Sequence, residues 1–231
     1  MMETRLGGLT LRSPFLGASG CFGNGYELAD IIDLSSIGGF VTKSVTVSPR
    51  AGNSMPRIWE TPSGMLNAIG LENAGLEHFV EASIPKLAAI NAVKLVNVAG
   101  FSVDDYVRVI ERLEPFGAVD GFEINISCPN VGAGCISIGT VPGQVETLMA
   151  AIRPRTKKHL MVKLTPNVTA IEPVARAAEA GGADSVSLIN TLTGMAIDPE
   201  TRRFRIANKT GGLSGPARSE ERRVGKECRS R

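Results

Sequence analysis

The chain has 231 residues, 43% of them hydrophobic, 25 Lys and Arg against 23 Asp and Glu, and a net charge of +2. That is enough for one large domain or two small ones with a core of ordinary size. It excludes a disordered polyelectrolyte, and no apolar run approaches the roughly 20 residues that cross a bilayer. Four scattered cysteines (Cys21, Cys128, Cys135, Cys228), no CxxC pair and two histidines argue against a disulfide scaffold and against a zinc or other metal site.

The first residues, MMETRLGGLTLRS, lack a basic region followed by an apolar one, so no signal peptide is expected and the cytoplasm is the expected compartment. The segment 4–14 reads as a short hairpin turning at Gly7-Gly8. Six apolar β-rich runs follow: 14-PFLGAS-19, 37-IGGFVTKS-44, 93-VKLVNVAG-100, 120-DGFEINIS-127, 159-HLMVKLTP-166 and 184-DSVSLINT-191. Between them, helical patterns are expected at about 26–34, 75–90, 103–115, 142–156 and 169–181. The last is capped by Thr169 with Glu172 in a capping box and stopped by Gly181-Gly182. Strands alternating with helices predict βα units and a parallel sheet. The connection from residue 45 to 79 is long enough to predict a functional loop or one with structure of its own.

The regular pattern breaks off near residue 217. Residues 218–231, RSEERRVGKECRSR, carry six basic and three acidic side chains, which leaves 19 basic against 20 acidic in the body. A near-neutral body gives no basic face for nucleic acid. The tail reads as foreign sequence joined to an interrupted chain, with a disordered basic tail as the alternative. Residues 1–217 are then the folded body. Six strands are two short of an eight-stranded barrel, so the expected architecture is either an open sheet or a barrel lacking its last quarter.

Each run ends in polar residues: Ser19, Lys43 with Ser44, Asn97, Asn125 with Cys128 beyond it, Lys163, and Asn190 with Thr191. A buried ammonium costs several kcal/mol unless an anion pairs with it. One such residue is explained by a satisfied loop, but six of six, two with lysine, predict a site at the strand ends for a ligand with negative charge and carbonyl groups. Segment 64-GMLNAIGLEN-73 mixes Asn and Gly with apolar residues, a composition suited to close backbone approach. Cys128 precedes a Gly-rich loop, 132-GAGCISIGT-140, and neighbouring cations favour its thiolate. Proton acceptor and small buried hydrophobe are the two readings of this thiol that the spacing leaves open.

The stretches 17-GASGCFGNG-25, 56-PRIWETPSGMLNAIGLENAG-75, 122-FEINISCPNV-131, 162-VKLTPNVT-169, 188-LINTLTG-194 and 211-GGLSGPA-217 together resemble class 1 dihydroorotate dehydrogenases, and the SGMLNAIGL and CPNV versions resemble class 1B. The resemblance implies an FMN-binding (β/α)8 TIM barrel, here without strands 7 and 8. It implies oxidation of (S)-dihydroorotate to orotate in pyrimidine biosynthesis. Cys128 would be the base that takes the C5 proton. Ser19, Lys43, Ser44, Asn97, Asn125, Lys163, Ile189 and Gly215 would contact FMN. Lys43, Asn67, Ala68, Ile69, Gly70, Leu71, Asn125, Asn190 and Thr191 would hold the substrate. It further implies a homodimer within a heterotetramer whose second subunit carries FAD and a 2Fe–2S cluster and passes electrons to NAD+. Two departures stand out: Cys135 and Ile138 replace the glycine and aromatic residue usual in the loop, and the basic tail replaces the glycine-rich turns that hold the FMN phosphate. The rival expectations are a related flavin barrel acting on another pyrimidine, as in dihydropyrimidine dehydrogenases, and an inactive barrel fragment.

Overall fold

The structure is a computed structural model, and it describes residues 3–126 and 138–216. The chain opens with β1 (Thr4–Leu6) and β2 (Leu9–Leu11), an antiparallel pair around Gly7-Gly8 as the sequence predicts. β3 (Leu16–Gly17) and β4 (Gly39–Val41) follow, then an antiparallel ribbon of β5 (Ile58–Thr61) and β6 (Gly64–Asn67). Next come β7 (Val93–Val98), β8 (Gly121–Asn125), β9 (His159–Leu164) and β10 (Ser185–Leu188). Four more strands end the described chain: β11 (Leu192–Met195), β12 (Ile197–Asp198), β13 (Arg203–Phe204) and β14 (Thr210–Ser214).

Strands β10-β9-β8-β7-β4-β3 form one parallel half-barrel sheet in that order. All six predicted runs are in it. Among the described strands, β3 and β10 each pair on one side only, and Phe15 and Leu188 stand exposed at these two ends. From β4 through β7 and β8 to β9 the sheet is buried on both faces. Phe40, Val96, Val98, Phe122, Ile124, Leu160, Val162 and Leu164 lie on the outward face and share one buried cluster with three longer helices and the helical stretch 76–88. Fully burying one such side chain contributes on the order of 1.5–3 kcal/mol. The inner face alternates with these positions. Val41, Leu95 and Met161 cluster there with Leu6 and Leu9, so the N-terminal hairpin closes the base of the half-barrel.

The outer helices are Val103–Leu113, Pro142–Ile152 and Glu172–Ala180. The first is fastened by a capping box between Ser102 and Asp105. The third corrects an expectation. Its N-cap is Ile171, with no side-chain cap, because Glu172 binds Arg176 one turn on instead of reaching back toward Thr169. Pro173 sits in the first turn, where a missing N–H costs nothing. The expected stop at Gly181-Gly182 is present, with Gly182 at φ 98°.

The helix expected at about 26–34 is not formed. Two 3₁₀ turns, Tyr26–Leu28 and Leu34–Ser36, take its place, and Asp33 caps the second through the Ser35 N–H. Ile31 is 76% exposed, so no apolar face pays the nucleation cost of a full helix. The helical stretch from Leu76 to Ala88 matches the expected 75–90 but contains a π-turn at Phe79–Ser83. Pro85 lies just after that turn and cannot donate to Glu81, which displaces the regular ladder.

The long connection has structure of its own. β5 and β6 join β14 and β11 in a four-stranded antiparallel sheet of order β11-β14-β6-β5. Among the described residues, no helix is long and apolar enough to cross a membrane.

Candidate active site

The inner face is apolar at its base and polar toward the C-terminal ends of the strands. Asn97 and Glu123 face each other in register across β7 and β8, and Asn125 pairs with Lys163, which pairs with Ser187. Asn97 is fully buried. Its Nδ2 donates to Glu123 Oε1 (2.6 Å), and its Oδ1 accepts from Ser44 Oγ (2.5 Å). Ser187 Oγ donates to Glu123 Oε2 (2.8 Å), and Lys163 Nζ lies 3.9 Å from Oε1. Residues of β7, β8, β9 and β10 and of the loop after β4 thus meet in one network.

A second chain of contacts runs across the mouth. The Asn190 Nδ2 donates to Asn125 Oδ1 (3.4 Å), and Asn190 Oδ1 accepts from the Thr191 N–H (2.8 Å). Tyr106 Oη donates to the Asn125 carbonyl (2.9 Å). Thr191 packs on Gly212, where any side chain would collide with it, and the Gly212 carbonyl accepts from Asn67 Nδ2 (3.3 Å). The antiparallel sheet therefore delivers Asn67 to the same rim as Asn190 and Thr191.

The remaining expected residues lie around this rim. Ser19 Oγ donates to the Thr42 carbonyl (2.7 Å), and the Lys43 N–H donates to Gly23 (2.7 Å), which ties the loops after β3 and β4 together. Ile189 is half-buried just past β10, and Gly215 follows β14 at φ 114°. The Ala68 N–H donates to Arg57 (2.8 Å) and its carbonyl accepts from Asn53 Nδ2 (2.9 Å). The Ile69 carbonyl accepts from Asn53 N–H (3.0 Å), the Gly70 carbonyl from Arg50 Nε (3.3 Å) and the Leu71 carbonyl from Asn73 Nδ2 (2.7 Å). Asn53, Arg57 and Glu72, the last two joined by a salt bridge, thus brace the 67–71 strip, and the sequence reading named none of them. Cys128 and Cys135 lie outside the described residues. The described residues on either side are Ile126 and Ile138, and the Gly139 N–H donates to the Ile126 carbonyl (3.0 Å), beside Asn125.

Glu123 is the main residue that sequence reasoning missed. The signal existed: an acid inside the apolar run GFEIN is as anomalous as the lysine inside LMVKLTP. Below this layer, His159 Nε2 sits 2.8 Å from Ser185 Oγ near the hairpin turn, and burial holds the imidazole below its ordinary value, favouring the neutral form.

The family model described as dihydroorotate dehydrogenase matches residues 1–220. The chain belongs to the dihydroorotate dehydrogenase family. Similar proteins include one from Trichlorobacter lovleyi, 51% identical over 216 residues, and one from Lachnoclostridium phytofermentans, 52% identical over 212 residues. Each is named "Dihydroorotate dehydrogenase B (NAD(+)), catalytic subunit". The alignments cover 94% and 92% of this chain and 71% and 70% of those proteins. Within the family, the chain is thus of the class 1B type, as the SGMLNAIGL and CPNV motifs imply. A crystal structure of the Eimeria tenella dihydroorotate dehydrogenase in complex with ferulenol superposes with a TM-score of 0.69 at 24% identity. That match covers 92% of this chain and 65% of the other, just under two thirds, and it establishes the shared fold.

Proposed function

We propose that this chain is the dihydroorotate-oxidising component of a pyrimidine-synthesis enzyme, with FMN as the hydride acceptor. The observation that carries the reading is the buried polar layer at the C-terminal ends of β7 to β10, the face on which barrels of this kind place their chemistry. Its donor set fits the pyrimidine edge of a flavin. Asn125 offers an amide and Lys163 an ammonium close to the sheet's open end, and the Ser44–Asn97–Glu123 hydrogen bonds back them from within. When bound, FMN supplies the electron-accepting ring.

The chain's own residues do the rest. Asn67, Asn190 and Thr191 converge on one rim, which suits a ligand bearing a carboxylate, an amide and ring carbonyls. The braced 67–71 strip holds its shape, so binding costs little ordering. Lys43 and Lys163 give the site a positive character that attracts the substrate's carboxylate. Cys128 accepts the C5 proton on a segment whose ends are joined next to Asn125. Ser19, Ile189 and Gly215 complete the flavin contacts, and Ala68 through Leu71 the substrate contacts.

Electrons then leave through a second subunit with FAD and a 2Fe–2S cluster to NAD+, in a heterotetramer built on a homodimer of this chain in the cytoplasm. The names of the relatives, which call them catalytic subunits of NAD-linked enzymes, support a separate subunit and NAD+ as acceptor. Orotate formation from dihydroorotate in the FMN-loaded chain, with no oxidation of dihydrouracil, is the expected result. Preference for dihydrouracil would move the chain to another pyrimidine.

A further inference from the structure

The polar layer contains one carboxylate that substrate and flavin contacts leave without a task. Glu123 is 3% exposed, and both of its oxygens are engaged, by Asn97 on one strand and Ser187 on another. Neutral acceptors would satisfy those two donors equally well, and a buried carboxylate costs several kcal/mol in lost hydration. What only a carboxylate brings is negative charge, and the cation beside it is Lys163, 3.9 Å away. Glu123 also fixes which way Asn97 points. With Nδ2 given to Glu123 and Oδ1 receiving Ser44 Oγ, the amide has one orientation. The other ionisable groups on this face are Lys43, two residues past Val41 on the far side of Asn97, and His159, two positions below Met161.

We propose that Glu123 is a positioning residue of the flavin site: it holds the Lys163 side chain at the inner face, sets the Asn97 amide, and moderates the positive charge that the bound ring meets. The choice of ring rests on the function proposed above, whereas the coupling to Lys163 does not.

The test uses Glu123→Gln, which keeps size and an acceptor and removes the charge. In the flavin-free chain, acetic anhydride labelling read by peptide mass spectrometry reports amine reactivity, with exposed Lys209 as reference. The expected result is several-fold faster acetylation of Lys163, relative to Lys209, in E123Q, because the amine loses the carboxylate that engages it from 3.9 Å. Unchanged Lys163 reactivity in a folded E123Q chain overturns the coupling. Where E123Q is too unstable to label, Glu123→Asp carries the test: the charge is drawn back by one methylene and the reactivity rises in part. In the FMN-loaded chain, E123Q shifts the flavin midpoint potential to a more positive value, since uncompensated positive charge favours the reduced anion. An unmoved potential beside a changed Lys163 overturns the role toward the ring. A wild-type chain that takes up no FMN refutes the flavin reading of the site and with it that role, while the labelling result still decides the coupling.

Discussion

Asn97 on β7 and Glu123 on β8 stand opposite each other in register and share a 2.6 Å hydrogen bond in the buried interior. The same amide takes the Ser44 hydroxyl, so one side chain links the loop after β4 to the carboxylate of β8. The site is built from such cross-strand links at least as much as from the loops above it.

Replacing Asn97 with alanine therefore removes a donor from a buried carboxylate and an acceptor from Ser44. The expected loss is about 2–3 kcal/mol of stability, since a buried charged partner is left short of a hydrogen bond. Urea unfolding followed by circular dichroism measures it. A loss below about 0.5 kcal/mol would mean that water replaces the amide without cost.

His159 gives the fold a pH dependence of known sign. Burial holds its folded-state value below the ordinary 6.5, so the unfolded chain binds the proton more readily. The contribution is fully present above the unfolded value and is lost as pH falls below it. The melting temperature is expected to drop between pH 7.5 and pH 5.5, and His159→Gln is expected to flatten that part of the slope. An unchanged slope in the variant would assign the pH effect to carboxylates elsewhere.

Gly25 lies at φ 89°, and any Cβ there would run into the fully buried ring of Phe40. Both the backbone and the packing reject a side chain. Gly25→Ala is expected to cost about 2–3 kcal/mol, combining left-handed strain with overpacking. By contrast, the Glu172–Arg176 pair is exposed on both sides, and Arg176→Ala is expected to cost no more than about 0.5 kcal/mol. Denaturant midpoints of the two variants should differ clearly.

The parallel sheet was legible because its strands are apolar runs with sharp ends, and each of the six runs became one. The polar residues that close those runs were legible for the same reason: Asn97, Asn125 and Lys163 interrupt otherwise apolar segments. The antiparallel sheet was not legible. Its pairing joins Asn67 to Gly212 across 145 residues, and β14 is the glycine-rich TGGLS, which carries no alternating pattern. The turns at 26–36 were misread because isoleucines at 31 and 32 resemble a helical stripe until their exposure is known. Glu123 interrupts an apolar run as Lys163 does, but its place in the site follows from its pairing with Asn97 and Ser187 on neighbouring strands.

Cys128→Ser is expected to slow substrate-driven flavin reduction by roughly 100-fold or more at neutral pH, the usual scale for a lost general base. Stopped-flow absorbance of the FMN-loaded variant measures it. Reduction at the wild-type rate would remove Cys128 from the proton transfer.

On the function proposed above, the polar layer at the strand ends forms a working flavin and dihydroorotate site. The most direct measurement loads the chain with excess FMN, removes unbound flavin, adds dihydroorotate without oxygen and follows the oxidised-flavin absorbance. Retained flavin that bleaches on addition of substrate is the predicted result. A chain that retains no flavin, or whose bound flavin keeps its colour with dihydroorotate present, would contradict it.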